Sequence, residues 1–135
     1  MKKITLPAKV ENVDEAIDFV NEVLESHDCS MKLTMQIDIA VEELFVNIAH
    51  YAYTPGEGDA TLTCNVEGDP AYVTITFCDS GTPYNPLNKA DPDITLAAED
   101  RDIGGLGIFM VKKSMDDMTY EYVDGQNMLT IKKFI

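Results

Sequence analysis

The sequence predicts an α+β protein, a two-layer α/β sandwich in which helices cover one face of a mixed, mostly antiparallel sheet. Three observations lead there. Segments of strand-like and helix-like apolar period follow one another in the order β-α-α-β-β-loop-α-β-β. That order lacks the regular strand–helix alternation of a parallel sheet. Two compact turn signals, Gly68-Asp69-Pro70 and Asp124-Gly125, join neighbouring strands as hairpins.

Each element has its own warrant. Lys2 to Leu6 alternates as a first strand, and Pro7 limits its continuation. Asn12 or Asp14 caps a helix to about Ser26, with Val13, Ala16, Ile17, Val20, Val23 and Leu24 at helical spacing. His27-Asp28-Cys29-Ser30 is the break. The longest periodic segment runs from about Met31 to Ala52. Its stripe is Leu33, Ile37, Val41, Leu44 and Ile48, and Asp38 and Glu42 are expected to face solvent. Thr54-Pro55-Gly56-Glu57-Gly58 ends it.

Ala60 to Val66 and Tyr72 to Cys78 are two strands of alternating, β-branched character. Asp79 to Gly104 is different: Gly81, Pro83, Pro86, Pro92 and several acids leave only one short apolar patch, near Ile94 to Ala98. A compact domain seldom carries so long an irregular connection without a use for it. Gly105 to Met115 is a short amphipathic helix, and Met118 to Val123 with Met128 to Phe134 closes the chain. No repeat, low-complexity tract or interdomain linker interrupts this order, so residues 1–135 are expected to form one domain.

Composition excludes more than it selects. A net charge of −14 repels a phosphate backbone, so no direct nucleic-acid binding is expected. No run approaches the roughly 18 apolar residues of a membrane span. Met1-Lys2-Lys3 leads into Thr5, Pro7 and Lys9 without the apolar core of a signal peptide. A soluble, cytoplasmic protein is the expectation. Cys29, Cys64 and Cys78 are odd in number and lack Cys-x-x-Cys spacing, which fits structural thiols in a reduced compartment.

Three short pieces carry the chemistry. Glu43 and Asn47 are four residues apart on the long helix and share a face. A carboxylate there can act as a base, and an asparagine oxygen is a hard, neutral ligand suited to magnesium. Asp79 follows a strand and precedes Gly81; an ionised carboxylate accepts hydrogen bonds from an exocyclic amine such as adenine's. Gly81 would let the backbone approach a flat base. Gly104-Gly105-Leu106-Gly107 opens a helix, whose N-terminus and free N–H groups suit an anion. Arg101, just upstream, could reach a terminal phosphate or pair instead with its acidic neighbours. Each piece alone is ordinary helix surface, turn or helix entry. Together they describe a magnesium–nucleotide site.

At these pieces the sequence resembles the anti-sigma factor serine/threonine-protein kinases, stand-alone members of the histidine-kinase-like ATPase superfamily. Glu43-Leu44-Phe45-Val46-Asn47 is similar to the family's N box. Asp79-Ser80-Gly81 is similar to its first glycine box, and Gly104-Gly105-Leu106-Gly107-Ile108-Phe109-Met110-Val111 to its second. The resemblance covers nearly the whole chain, including Asn127-Met128-Leu129-Thr130. It implies a Bergerat-type ATP-binding fold and ATP with Mg2+ as cofactors. It also implies Glu43 as general base, Asn47 on magnesium, Asp79 at the adenine amine, Gly105 and Gly107 bordering the phosphates, and Thr130 at the adenine. Residues 85–103 would be the ATP lid.

The sequence departs from the family pattern at three places. Pro83 stands where the first box often has a second glycine. Ile103 stands where some relatives carry arginine, with Arg101 two residues earlier. His50 comes one position earlier than in many members and is expected to be buried and hydrogen-bonded.

The implied function is phosphorylation of an anti-anti-sigma-type protein, with sequestration of a sigma factor or similar regulator. A homodimer is the assembly many family members adopt. The alternative is an ATP-gated protein-binding module without phosphoryl transfer. A detached histidine-kinase catalytic domain fits less well, since His27 and His50 are poorly placed as phosphoacceptors.

Overall fold

A computed structural model describes residues 1–53, 56–88 and 105–135. Five strands form one sheet: β1 (Lys2–Pro7), β2 (Asp59–Glu67), β3 (Tyr72–Asp79), β4 (Asp117–Val123) and β5 (Gln126–Phe134). Three helices accompany it: α1 (Val13–Glu25), α2 (Met31–Tyr51) and α3 (Gly105–Ser114). Single 3-10 turns occupy Val10–Asn12 and Pro86–Asn88.

The strand order is β1-β2-β3-β5-β4, and every neighbouring pair is antiparallel. The sheet expected to be mixed is therefore wholly antiparallel among the described residues. The last hairpin explains the inversion of β4 and β5. Val123 pairs with Gln126 across a two-residue loop, and Asp124 and Gly125 both have positive φ, 53° and 79°. That is the backbone of the tight turn whose twist matches paired strands. β5 then folds back between β3 and β4.

Burial alternates along the central strands. Ala60, Leu62 and Cys64 of β2, Val73, Ile75 and Phe77 of β3, and Leu129 and Ile131 of β5 face the helices. They meet Val20 and Leu24 of α1 and Ile37, Val41, Leu44 and Phe45 of α2 in one apolar core. Phe45 and Phe77 are among its largest fully buried side chains. Each such ring contributes about 1.5–3 kcal/mol of burial. The helical stripe holds as expected from Leu33 to Leu44, whereas Ile48 is only half-buried because it lines a cleft.

Ser30 starts α2: its Oγ accepts from the Leu33 amide at 3.2 Å. Such a cap contributes about 1 kcal/mol. Asn12 precedes α1 but does not cap it by its side chain; its Nδ2 donates to the Pro7 carbonyl at 2.9 Å.

Two expectations fail here. His50 is exposed rather than buried, and its ring stands edge-on to Tyr51 with centroids 5.9 Å apart. Asp38 does not face solvent. Packing of α1 against α2 half-buries it, and both its Oδ1 and the Oδ1 of Asn21 are buried without a hydrogen-bond partner. Among the described residues no helix is long and apolar enough to cross a membrane.

Candidate active site

Between α2 and the end of the sheet lies a cleft of ≈ 400 Å³, a volume suited to a small-molecule ligand. α2 contributes Leu44, Asn47, Ile48 and Tyr51, which recur every three or four residues and so line one side. β3 and β5 contribute Phe77, Asp79, Asn127 and Leu129 from the helix-facing side of the sheet. Ile108 of α3, Tyr120 of β4 and the segment Thr82-Pro83-Tyr84 complete it.

Asp79 is the last residue of β3 and 7% exposed. Its Oδ1 accepts from the Gly81 amide at 2.9 Å and from Asn127 Nδ2 at 2.9 Å. The turn after it is tied down from the other side. Tyr53 OH donates to the Asp59 carbonyl at 2.6 Å and accepts from the Ser80 amide at 2.8 Å. Partial burial pushes the Tyr53 phenol above its ordinary value, opposed by the Ser80 bond.

Gly81 has a specific packing reason to be glycine. A Cβ there would stand 2.1 Å from the Ala52 carbonyl oxygen, and the next amide, of Thr82, donates to that oxygen at 2.8 Å. The turn thus closes on the end of α2.

Glu43 sits one turn before Asn47 on the same face of α2, half-buried against α3. A Cβ on Gly107 would lie 2.0 Å from Glu43 Oε1. Glu43 raises its carboxyl pKa above 4.5, first through burial and second through the neighbouring Glu42 carboxylate. It is not among the residues lining the cleft, which begins at Leu44.

The structure therefore brings Asn47 and Asp79 into one cleft and places Glu43 with Gly107 beside it. Gly105 is the first residue of α3. Thr130 is elsewhere: it shares the far face of the sheet with Thr76, their hydroxyls 2.9 Å apart, while Leu129 faces the cleft. The alternation of β5 forces this. Arg101, Gly104 and most of 85–103 lie outside the described residues.

Asn127 and Tyr120 were missed by sequence reasoning. Asn127 pairs across the strands with Asp79 and is 6% exposed. Its signal was present: counted back from Leu129 and Ile131 in steps of two, it is a polar residue on an apolar face.

The family model of the histidine kinase-like ATPase domain matches residues 6–133. This chain belongs to that family. Among curated proteins, the ATPase domain is 23% identical over 128 residues to the serine/threonine-protein kinase BtrW of Bordetella bronchiseptica, covering 95% of this chain and 89% of that one. It is 28% identical over 136 residues to the serine-protein kinase RsbW of Listeria monocytogenes, covering 96% and 86%. With RsbW of Bacillus mycoides it shares 29% over 98 residues, 70% of this chain and 60% of that one. The sandwich expected from periodicity is thus the fold of a known ATPase family.

Proposed function

We propose that this ATPase domain is an ATP-dependent serine/threonine protein kinase that phosphorylates an anti-anti-sigma-type protein and sequesters a sigma factor or similar regulator. The observation that carries the proposal is the placement of Glu43, Asn47 and Asp79. One helix face holds the first two beside a cleft that ends at the third. The names of the relatives BtrW and RsbW support the reaction class.

The residues have distinct tasks in this reading. Asp79 would accept the adenine amine, and Phe77, Leu129 and Ile48 would shelter the base from water. Gly105 and Gly107, in the first turn of α3, would present amides to the phosphates. Glu43 would take the proton from the attacking serine hydroxyl, and its partial burial makes it a stronger base than an ordinary glutamate.

Among the described residues no three His, Cys, Asp or Glu side chains form a metal cage. A single neutral amide oxygen, that of Asn47, fits magnesium held mainly by phosphates and water. Magnesium bound there would neutralise phosphate charge. Asn47 would hold it.

The test is transfer of labelled γ-phosphate from ATP to a purified anti-anti-sigma-type protein. Glu43→Gln is expected to lower the transfer rate by about 100-fold or more, with nucleotide affinity retained. Full transfer in that variant would sink the assignment of Glu43. Tight ATP binding without any transfer by the wild-type protein would favour the gated binding module instead.

A further inference from the structure

Asn127 and Asp79 are the two polar side chains buried among the described residues, and they face each other across β3 and β5. An asparagine amide has two N–H donors and an oxygen with two lone pairs. Here the protein uses all four. Nδ2 donates to Asp79 Oδ1 at 2.9 Å and to the Thr82 carbonyl at 3.0 Å. Oδ1 accepts from the Tyr84 amide at 3.1 Å and from the Tyr120 hydroxyl.

Two consequences follow from this saturation. Asn127 has nothing left to offer a ligand, so its effect on one must be indirect. Asp79 has its Oδ1 occupied by Asn127 and by the Gly81 amide, while Oδ2 takes no hydrogen bond from the described residues. The same amide holds the backbone of Thr82 and Tyr84, two residues that border the cleft. One side chain thus sets both the carboxylate and the segment opposite it.

We infer that Asn127 is the positioning residue for nucleobase selection: it commits Asp79 Oδ1 to the protein and leaves Oδ2 as the oxygen that reads a 6-amino purine. The inference rests on the nucleotide reading of the cleft proposed above. A carboxylate oxygen accepts only, so it accepts from a 6-amino group and repels the 6-oxo group of guanine. Without Asn127 the carboxylate can rotate, and either oxygen can turn to Gly81. Tyr120 acts one step further out, because its hydroxyl holds the Asn127 amide in the orientation that points Nδ2 at Asp79. An amide turned the other way would set oxygen against oxygen at both 2.9 Å and 3.0 Å.

The experiment compares affinities for ATP and for purine riboside triphosphate, which lacks only the exocyclic amine. It uses the wild-type chain, Asn127→Leu and Tyr120→Phe. The wild type is expected to prefer ATP. Asn127→Leu should reduce that preference by about tenfold, and Tyr120→Phe by roughly threefold, since each loses hydrogen bonds in a buried network. Affinity for the amine-less analogue should barely change.

A purely structural role would weaken both nucleotides alike and leave their ratio intact. That outcome, in either folded variant, overturns the inference. Tyr120→Phe keeps the ring and its packing, so the inference remains testable if Asn127→Leu fails to fold. Wild-type protein that binds ATP no better than the analogue overturns the Asp79 reading beneath it, and binding of neither overturns the nucleotide site itself.

Discussion

The carboxylate of Glu43 occupies the space where Gly107 would carry a side chain, with Oε1 2.0 Å from an ideal Cβ position. α2 and α3 are thereby set at contact distance at this point. The obstructing atoms end a flexible side chain, so the carboxylate would yield before the backbone does.

Gly107→Ala is therefore expected to separate folding from chemistry. Alanine is a better helix former than glycine, by at most about 1 kcal/mol at this first-turn position, which offsets the crowding, so the thermal midpoint should move little. Phosphoryl transfer should fall by on the order of 100-fold, because a displacement near 1 Å at a reacting group costs that much. Transfer assays beside thermal denaturation check it, and an active, stable variant contradicts the geometry.

Gly81→Ala should do the opposite. Its Cβ meets the backbone carbonyl of Ala52 at 2.1 Å, which cannot move without displacing the end of α2. Overpacking of this kind costs about 1–3 kcal/mol. Urea denaturation should show that loss before any ligand is added.

The acid limb of the transfer rate should lie above pH 4.5, because burial raises the Glu43 pKa. Transfer needs the ionised base, so the rate is lost as pH falls through the raised value. Glu42→Gln removes the second cause and should shift the limb towards lower pH, a direction that a pH–rate profile reads directly.

Asp38 gives a pH effect on stability instead. Burial first, and the Asp18 carboxylate last, raise its pKa above 3.8, with the Asn21 side chain opposing them. The folded state therefore binds this proton better than the unfolded chain. Its contribution is complete below the unfolded pKa and is lost as pH rises through the raised folded value. Asp38→Asn should match the wild type at low pH and exceed it at neutral pH. The new amide can also donate to the unpartnered Asn21 Oδ1, so a gain of up to about 1 kcal/mol is expected. Denaturant midpoints at pH 4 and pH 7 test the sign.

Asn47→Ala should abolish most of the difference between ATP binding with and without magnesium, by about tenfold or more in the metal-dependent part. Calorimetry with ATP in both conditions measures it. An unchanged magnesium dependence would remove Asn47 from the metal site.

Much of this was legible in the chain because local periodicity reports local structure. The stripe from Leu33 to Leu44 marked α2, and the Asp124-Gly125 pair marked a hairpin whose backbone is what that dipeptide favours. The spacing of Glu43 and Asn47 placed both on one helix face. Strand boundaries shifted by only a residue or two at the edges, where fraying makes assignment loose.

By itself the sequence determined the order of elements and the shared face of Glu43 and Asn47, because both follow from repeats of 2 and 3.6 residues. Tertiary structure alone decided that β5 lies between β3 and β4, and hence that Asn127 meets Asp79 while Thr130 turns to the far face. It also decided that Gly81 closes on Ala52 and Gly107 on Glu43. These are contacts between segments far apart in the chain. Packing sets them, and no local period encodes which strand becomes whose neighbour.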